Sequence, residues 1–380
     1  MYNAQKTKLV HVYGVLREQI VGGALQPGER LPTEQLLSEQ MGYSRATVAT
    51  AIRRLVDEGL VERRKRAGSF VRRKQEAGAA VKGRAPLFGA LISMAESTQK
   101  MDTVFVPITQ EIGHHVEPQG YALVMHSPGS RATTAESIVE RLREITQRLV
   151  DRNVAGVFVL PQEINADQTE SSSVLAMEEF DRARIPVVLL DRDIYRFPKR
   201  SKYDIVGIDN LRAGYVITEH LIKLGCRRID FICEGTYASA GAQRVEGFLQ
   251  ALEAHGLDAS RERVHYRANM PRHEFFKGLL EQADTKAFVA VNDRMAADLM
   301  LVALEMGKRV PEDVRIVGFD DLPQSQYLSS PLTTIRQRSE AIGAAAARMM
   351  FDRMENPGRS GVDLLVQFEL VVRKSCGAML

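Results

Sequence analysis

The chain has few of the residues and patterns that mark several classes of protein. Among its 380 residues are only three cysteines, Cys226, Cys233 and Cys376, with no Cys-x-x-Cys spacing, so disulfides are not expected. No stretch approaches 18 apolar residues, and the N-terminus lacks the apolar core of an export signal. We therefore expect a cytoplasmic protein that neither crosses a membrane nor is exported.

Common catalytic and metal-binding motifs are also missing. The sequence has no Gly-x-Gly-x-x-Gly, no Gly-x-x-x-x-Gly-Lys-Ser/Thr, no Gly-x-Ser-x-Gly and no His-Glu-x-x-His, which argues against an enzyme. The adjacent His114 and His115, and the pair Cys226 and Cys233, lack further ligands at a suitable spacing. Such isolated pairs are far more often structural. Neither a metal site nor a cofactor is predicted.

Charge is unevenly distributed along the chain. Residues 1–80 contain 14 Lys or Arg and 8 Asp or Glu, a surplus of six positive charges, whereas the whole chain carries +3. The remaining residues are therefore slightly acidic. A basic head on a mildly acidic body is typical of a nucleic-acid-binding module joined to a domain that need not contact nucleic acid.

The basic head has the pattern of three helices followed by a hairpin. Apolar residues from Leu9 to Ile20 recur at helical spacing, a second helix follows Thr33, and a third follows Ser44. Residues 60–64 and 69–73 then read as two strands around a short turn. Three helices and a β-hairpin predict a winged helix-turn-helix.

The rest of the chain has a different pattern. Residues 75–86 mix Gly, Ala and charged residues and predict a linker between a head, 1–74, and a body, 87–380. Short apolar runs then alternate with helical stretches, which predicts parallel sheets in the α/β class. There is more such material than one sheet usually holds, so we expect two lobes separated by a cleft.

The segment LQPGERLPTEQLLSEQMGYSRATVATAIRRLVDEGLVERRKRAGSFV closely resembles the GntR-type winged helix. It departs from that family at Arg66, where a wing glycine is usual, and at Ala49, where an arginine is usual. The third helix has a polar face suited to the major groove, and Arg45 in its first turn can donate to guanine or phosphate. The DNA-contacting residues predicted from this pattern and resemblance are Thr33, Glu34, Gln35, Ser44, Arg45, Thr47, Thr50, Lys65, Arg66 and Gly68.

From residue 87 onward the chain resembles the effector domain of the LacI family, which is itself similar to periplasmic sugar-binding proteins. The resemblance is carried, in order, by IPVVLLDRD, GIDNLRAGYVITEHLIKLGCRRIDFI, QRVEGFLQAL, VNDRMAADLM, VPEDVRIVGFDD, PLTTIRQ and LVVRKS. It implies a type I periplasmic-binding-protein-like fold, with lobe one at about 87–204 and 338–363 and lobe two at about 205–337 and 364–380. A GntR head on a LacI-type body is the architecture of arabinose-responsive repressors.

Polar side chains follow several of the predicted strands. Asp191 and Arg192 follow IPVVLL, Asn292 follows FVAV and Asp320 follows RIVGF, and ligands bind at such carboxyl ends in parallel sheets. Competing interpretations are salt bridges between the lobes for the charged residues and a helix cap for Asn292. The predicted effector-binding residues, which include positions that match sugar contacts in ribose-type binding proteins, are Ser93, Glu96, Phe105, Asp191, Arg192, Arg244, Asn292, Asp320 and Gln337.

These expectations combine into a DNA-binding transcriptional regulator, a repressor by resemblance, that is controlled by a small sugar. A monosaccharide is expected, with a pentose among the candidates, and the resemblance implies a homodimer on double-stranded operator DNA. Alternatives left open by the sequence are control by a protein or phosphorylated partner and control by a non-sugar effector such as a nucleobase. A transport-type sugar-binding protein is disfavoured because a DNA-binding head is present and an export signal is not.

Overall fold

The structure is a computed structural model, and it divides the chain into two compact units, Met1–Val81 and Lys82–Leu380. They contain the predicted head and body respectively, and the boundary between them falls within the predicted linker. The residues it describes are 11–17, 19–20, 25–26, 28–57, 60–64, 68–71, 85–92, 104–127, 135–162, 164, 170–234, 239–267, 270–282 and 286–378. The predicted linker 75–86 lies outside them except for its last two residues.

The head is the predicted winged helix-turn-helix. Its elements are a helical segment over 11–17 and 19–20 (α1), α2 (Glu34–Met41), α3 (Arg45–Asp57), β1 (Val61–Arg64) and β2 (Gly68–Val71). Leu16 of α1, Leu37 of α2, and Ile52 and Leu55 of α3 are buried in a common apolar core. Helical spacing of apolar residues therefore correctly predicts the buried face of α3, whereas in α2 Leu37 is buried and its neighbour Leu36 is exposed.

One pairing in the head does not follow from the sequence pattern. The segment before α2 runs antiparallel to β2: the amide of Gly28 donates to the carbonyl of Val71 at 2.8 Å, and that of Leu31 donates to Ser69 at 2.9 Å. This segment contains a Pro-Gly turn and little alternation, so local sequence indicates only a loop. Its pairing with β2 connects the hairpin directly to the start of α2.

The described residues of the body form two six-stranded sheets, which confirm the α/β class with two lobes. The first sheet has the order β4-β3-β5-β6-β7-β13 and is parallel throughout. Its strands are β3 (Leu87–Ile92), β4 (Ala122–His126), β5 (Gly156–Leu160), β6 (Val187–Leu190), β7 (Asp204–Ile208) and β13 (Asp363–Val366). The short apolar runs predict these strands well because both faces of most of them are buried.

The second sheet has the order β9-β8-β10-β11-β12-β14 and is parallel except for β14, which runs antiparallel to β12. Its strands are β8 (Ile229–Cys233), β9 (Val264–Tyr266), β10 (Ala287–Ala290), β11 (Arg315–Asp320), β12 (Thr333–Arg336) and β14 (Glu369–Val371). The helices of the body are α4 (Phe105–Val116), α5 (Ala135–Asp151), α6 (Val174–Arg182), α7 (Asn210–Lys223), α8 (Ser239–Ala254), α9 (Arg272–Glu281), α10 (Asp293–Glu305) and α11 (Ser339–Glu355).

The chain passes between the two sheets three times: after β7, between β12 and α11, and between β13 and β14. The predicted starts of lobe two, at 205 and 364, are therefore early. Residues up to Ile208 in β7 and up to Val366 in β13 still pair within the first sheet. Apolar patterning alone does not reveal where a strand leaves one sheet, because both lobes bury the same kinds of residue.

Two helices of lobe two lie unusually close together, and this contact positions a functional side chain. A Cβ added at Gly214 of α7 would clash with the carbonyl of Arg244, and one at Gly247 of α8 would clash with the carbonyl of Leu211. Glycine at both positions lets the two backbones approach. Arg244 on α8 is thereby held against the start of α7. Among the helices that the structure describes, none is long and apolar enough to span a membrane.

Candidate functional site

A cluster of polar side chains lies where the carboxyl ends of the strands in the two sheets come together. Asp191 directly follows β6 of the first sheet, while Asp320 ends β11 and Asn292 follows β10 of the second. Arg244 joins them from α8, and Gln337 from the connection between β12 and α11. The cluster draws on both lobes, since Asp191 and Arg192 lie near enough to Asp320 for their charges to affect its pKa.

The part of the cluster in lobe one is built around Asp191 and Arg192. Arg192 Nε donates to Asp191 Oδ2 at 3.1 Å, and their side chains are only 8% and 6% exposed respectively. Asp191 Oδ1 is buried and has no hydrogen-bond partner within the described part of the chain. A buried carboxylate oxygen without a donor is costly. It is therefore a place where a ligand hydroxyl or N–H would be stabilised.

Phe105 stands next to this pair. It begins α4, and the centre of its ring lies 6.0 Å from the guanidinium carbon of Arg192. The ring of Tyr195, four residues after Asp191, is covered by the ammonium group of Lys199 at 3.6 Å. Ser93 and Glu96 lie outside the described residues, so the structure does not say where they stand relative to Phe105.

The part of the cluster in lobe two is organised by Arg244. Its Nε donates to Asn210 Oδ1 at 2.8 Å, its Nη1 donates to the Val291 carbonyl at 2.7 Å, and its Nη2 lies 3.7 Å from Asp320 Oδ1. The guanidinium also stacks over the ring of Phe319, with 4.6 Å to the centroid. Arg244 is therefore fixed in one orientation, with Asp320 as its ionic partner. Sequence reasoning missed Asn210 and Phe319.

Asp320 connects Arg244 to the segment between β12 and α11, where the chain crosses from one lobe to the other. Its Oδ1 accepts from Gln337 Nε2 at 2.8 Å. Burial raises the pKa of the Asp320 carboxyl, the nearby Asp191 adds to this, and Arg244 opposes it. Asp191 and Asp320 also have positive φ angles, 67° and 108°, conformations that cost about 1–3 kcal/mol for residues other than glycine. Such backbone strain is concentrated at functional sites.

Asn292 caps a helix, which is the competing interpretation that the sequence offered for it. Its Oδ1 accepts the amide of Met295 at 2.9 Å and so caps α10. The structure therefore brings Asp191, Arg192 and Phe105 together in lobe one, and Arg244, Asp320 and Gln337 together in lobe two. The side-chain oxygen of Asn292 is instead engaged in the cap of α10.

Beside this cluster is a buried acid that sequence reasoning did not single out. Asp293 accepts the Leu322 amide at 2.9 Å and the Ser325 hydroxyl at 2.5 Å through Oδ2, and the Thr334 hydroxyl at 2.6 Å through Oδ1. It thereby links the start of α10 to the segments that follow β11 and form β12. Burial, assisted by the charge of Asp320, raises its pKa to about 7.

We expect Asp293→Asn to flatten the pH dependence of the stability of the protein between about pH 4 and pH 7. The folded-state pKa of about 7 exceeds the ordinary value of 3.8, so the folded state binds the extra proton in this window. The stability that protonated Asp293 contributes is complete below the ordinary pKa of 3.8 and is lost as pH rises through the folded-state pKa of about 7. The amide mimics the protonated acid, since Thr334 can rotate its hydroxyl to accept from it.

The measurement is the thermal midpoint of both proteins at pH 4.5, 5.5, 6.5 and 7.5. Asp298→Asn is the matched control, because Asp298 is a carboxylate on the same helix that pairs with Arg272 at 2.8 Å. Wild type and control should lose stability with rising pH more steeply than Asp293→Asn. Equal slopes in all three would contradict a buried, protonated Asp293.

In the head, the predicted DNA-contacting residues before the third helix are engaged in local contacts. Thr33 caps α2 by accepting the Leu36 amide at 3.2 Å. Glu34 pairs with Arg63 of β1 at 2.6 Å, and Gln35 donates to Glu39 at 3.3 Å. These bonds fix the start of α2 against the hairpin. Whether the same side chains also contact bases stays a prediction.

The third helix begins with a second cap and presents an open cation. Ser44 Oγ accepts the Thr47 amide at 3.3 Å and bonds its hydroxyl at 2.9 Å, while the Thr50 hydroxyl donates to the Ala46 carbonyl at 2.8 Å. Arg45, in the first turn, is exposed, and no ion pair holds it among the residues described. Its guanidinium is thus available for a phosphate or a guanine edge.

The predicted wing residues are only partly within the described residues, since Lys65 and Arg66 fall outside them. Gly68 opens β2 with a φ of 114°, a conformation that strongly favours glycine. A Cβ there would come within 2.9 Å of Nε of Arg30. The guanidinium of Arg30 therefore lies against the backbone of Gly68, beside the predicted wing tip.

Comparison with known families agrees with both halves of the fold. Residues 9–71 match the family described as bacterial regulatory proteins, gntR family, and residues 218–376 match a periplasmic binding protein-like domain. The predicted resemblances to a GntR-type head and to a LacI-type, periplasmic-binding-protein-like body are confirmed. The two domains define a DNA-binding transcriptional regulator.

Individual relatives share this architecture to different extents. The arabinose metabolism transcriptional repressor of Geobacillus stearothermophilus is 27% identical over 383 residues, which cover 97% of this chain and 99% of that protein. The HTH-type transcriptional repressor PurR of Pasteurella multocida is 29% identical over 275 residues, 71% of this chain and 77% of the relative. The solved structure of a transcriptional regulator CelR–cellobiose complex has the same fold, with a TM-score of 0.65 and 24% sequence identity. The superposition covers 91% of this chain and 100% of the CelR chain.

Proposed function

We propose that this protein is a transcriptional repressor whose affinity for operator DNA is controlled by a small sugar bound in the cleft between the lobes of the body. The observation that carries the proposal is the buried cluster of Asp191, Arg192, Arg244, Asp320 and Gln337, in which Asp191 Oδ1 has no partner among the described residues. The similarity to the arabinose metabolism repressor, along nearly all of both chains, supports it.

The composition of the cluster favours a neutral polyhydroxyl compound. Two carboxylates, Asp191 and Asp320, face two guanidinium groups, Arg192 and Arg244, so the formal charges are balanced. A sugar hydroxyl both donates and accepts, so it can donate to a carboxylate and accept from a guanidinium group. Phe105, beside Arg192, offers a flat apolar surface for the face of a ring. A monosaccharide, with a pentose among the candidates, fits this description.

A nucleobase is the second candidate, because the body is also similar to PurR. Carboxylate and amide groups such as Asp320 and Gln337 can pair with the edge of a heterocycle, and Phe105 can stack on its face. A thermal-shift panel of the full-length protein with L-arabinose, D-ribose, D-xylose, D-glucose, hypoxanthine and guanine separates the two. Stabilisation by a sugar alone supports our proposal, whereas stabilisation by a purine alone replaces it with the second candidate.

We infer that DNA binding is controlled by movement of the two lobes about the three chain crossings that join them. A ligand that contacts both lobes favours the closed arrangement, and a homodimer, as we propose here, would convert closure into a changed spacing of its two heads. A differential affinity of a few kcal/mol is enough to shift such an equilibrium. The protein would act in the cytoplasm, where its DNA lies.

The coupling is tested with DNA that the full-length protein selects from a random double-stranded pool. Fluorescence anisotropy then gives the affinity for the selected DNA with and without the sugar that produced the largest thermal shift. We expect at least a fivefold change, in line with the usual size of allosteric coupling. An affinity that the bound sugar leaves unchanged would refute control through the cleft.

Arg45→Ala should weaken binding to the selected DNA about tenfold or more and reduce discrimination against unrelated DNA. Arg45 is exposed in the first turn of α3, and one good base contact is worth about 1–3 kcal/mol. Arg53→Ala is the matched control: the same change at an exposed arginine of the same helix, about 12 Å further along its axis. Equal losses from the two variants would indicate only a general charge effect.

A further inference from the structure

A cavity of about 290 Å³ adjoins the polar cluster on the side of the first helix of the body. Among the described residues, its wall is formed by the start of α4, by the segment that follows β11, and by the connection from β12 into α11. Asp320 and Gln337 belong both to this wall and to the cluster. The cavity is therefore continuous with the site proposed above.

One side of the cavity is apolar. Val104, Val106 and Pro107 line it from the start of α4, and Leu322 and Pro323 line it from the segment after β11. The C–H face of a saccharide ring packs on a surface of this kind, and binding sites generally combine such a surface with a few polar groups. At about 290 Å³, the cavity is at the lower end of the size of complete ligand sites, which begins at about 300 Å³. It suits one additional ring.

The other side of the cavity is polar and has an acidic surplus. Asp321 is already occupied, since Arg336 Nε and Arg373 Nη2 both contact its carboxylate at 2.6 Å. Glu340, in the first turn of α11, is exposed and has no ion-pair partner in the described part of the chain. A hydroxyl donor fits beside Glu340, whereas a phosphate at this position would be repelled by the unpaired negative charge of Glu340.

From this geometry we propose that the cleft takes a saccharide of at least two rings. The first ring lies on the cluster around Asp191 and Arg244, and the second, unphosphorylated ring occupies the cavity between Val106 and Glu340. The inference rests on the proposed function, since it presupposes a sugar in the cleft, and it enlarges the ligand from a monosaccharide to an oligosaccharide or glycoside. Asp320 and Gln337 stand at the junction of the two subsites.

The experiment compares each sugar with its dimer by calorimetric titration of the full-length protein: D-xylose with xylobiose, L-arabinose with arabinobiose, and D-glucose with cellobiose and maltose. Glucose 6-phosphate tests the acidic wall. We expect one disaccharide to bind at least tenfold more tightly than its monosaccharide, and the phosphate ester to bind no better than glucose.

Two variants address the cavity itself. Val106→Trp fills it and should remove the gain of the disaccharide while leaving monosaccharide affinity within twofold, and Glu340→Ala should weaken the disaccharide at least threefold. The controls are Val362→Trp, at an exposed valine elsewhere in the body, and Glu355→Ala, at the other end of α11. Glu340 is exposed, so Glu340→Ala should fold. It therefore still tests the second subsite if Val106→Trp fails to fold.

The outcomes separate this inference from the proposed function. If a monosaccharide binds as tightly as every disaccharide, and neither cavity variant changes any affinity, the second subsite is wrong while sugar control stands. If no saccharide binds and a purine does, both the proposed function and this inference fail. A disaccharide preference that Val106→Trp abolishes supports both.

Discussion

Asp191→Asn is expected to weaken effector binding by about tenfold to a hundredfold and to reduce stabilisation by the effector correspondingly. The substitution keeps the shape of the side chain but removes a charged acceptor, and hydrogen bonds to charged groups contribute about 1.5–3 kcal/mol. Asp191 Oδ1 is buried without a partner among the described residues, so it has an unused acceptor to offer. The loss at Oδ1 should therefore appear in effector binding, while the loss of the buried ion pair between Oδ2 and Arg192 should also lower stability.

The measurement is a calorimetric titration with the compound from the sugar and purine panel that gives the largest thermal shift. Asp298→Asn serves as the control, because it makes the same chemical change at an ion-paired carboxylate on α10, outside the cluster. Binding to the selected DNA without effector should be unchanged in both variants. If Asp191→Asn binds the effector as tightly as wild type, the cluster is not the effector site.

Asp204→Ala should cause the largest loss of stability, about 3–5 kcal/mol. Asp204 has no exposed surface, and its two oxygens accept from Arg353 at 2.9 and 3.0 Å, from Arg359 at 2.9 Å twice, and from the Val362 amide at 3.0 Å. Its removal leaves the largely buried guanidinium of Arg353 without a carboxylate and leaves Arg359 with Asp352 alone, which is costly. These bonds also connect the start of β7 to the end of α11 and to the segment before β13.

The loss is measured as the change in thermal midpoint at a fixed scan rate, and a decrease of roughly 6–15 °C is expected for a body of this size. Asp363→Ala is the matched control, since Asp363 is exposed and forms an ion pair with Arg200. Exposed pairs contribute only about 0–1 kcal/mol. A decrease for Asp204→Ala no larger than that of the control would show that the buried cluster does not stabilise the fold.

Much of the head and of the sheet architecture could be predicted without coordinates. The stripe of Val48, Ile52 and Leu55 predicts the buried face of α3, and apolar runs such as IPVVLL predict buried parallel strands. Asp191 and Asp320 could be named because they directly follow such runs, and strand ends meet at one edge of a sheet. All of these are local signals, in which neighbouring residues share one element and one periodicity.

The long-range partners of these residues could not be predicted in the same way. Arg244 meets Asn210 because glycines let α7 and α8 approach closely, and Asp204 meets Arg353, 149 residues later in the chain. The pattern around Asn292 favoured a ligand contact and left a helix cap as the alternative, and the amide of Met295 occupies its oxygen. Such pairings depend on how whole elements pack, which no local spacing encodes.

The sequence by itself determined that a basic winged helix precedes a two-lobed α/β body, because charge, periodicity and motif order are properties of short segments. Only the tertiary structure decided where the chain crosses between the lobes, that Asp293 is buried beside the cleft, and that a cavity continues from Asp320 and Gln337 toward α4. The physical reason is that burial and cavity shape arise from surfaces distant in sequence. The few cysteines and the missing catalytic motifs narrow the class of protein, but they do not locate the cleft or its lining residues.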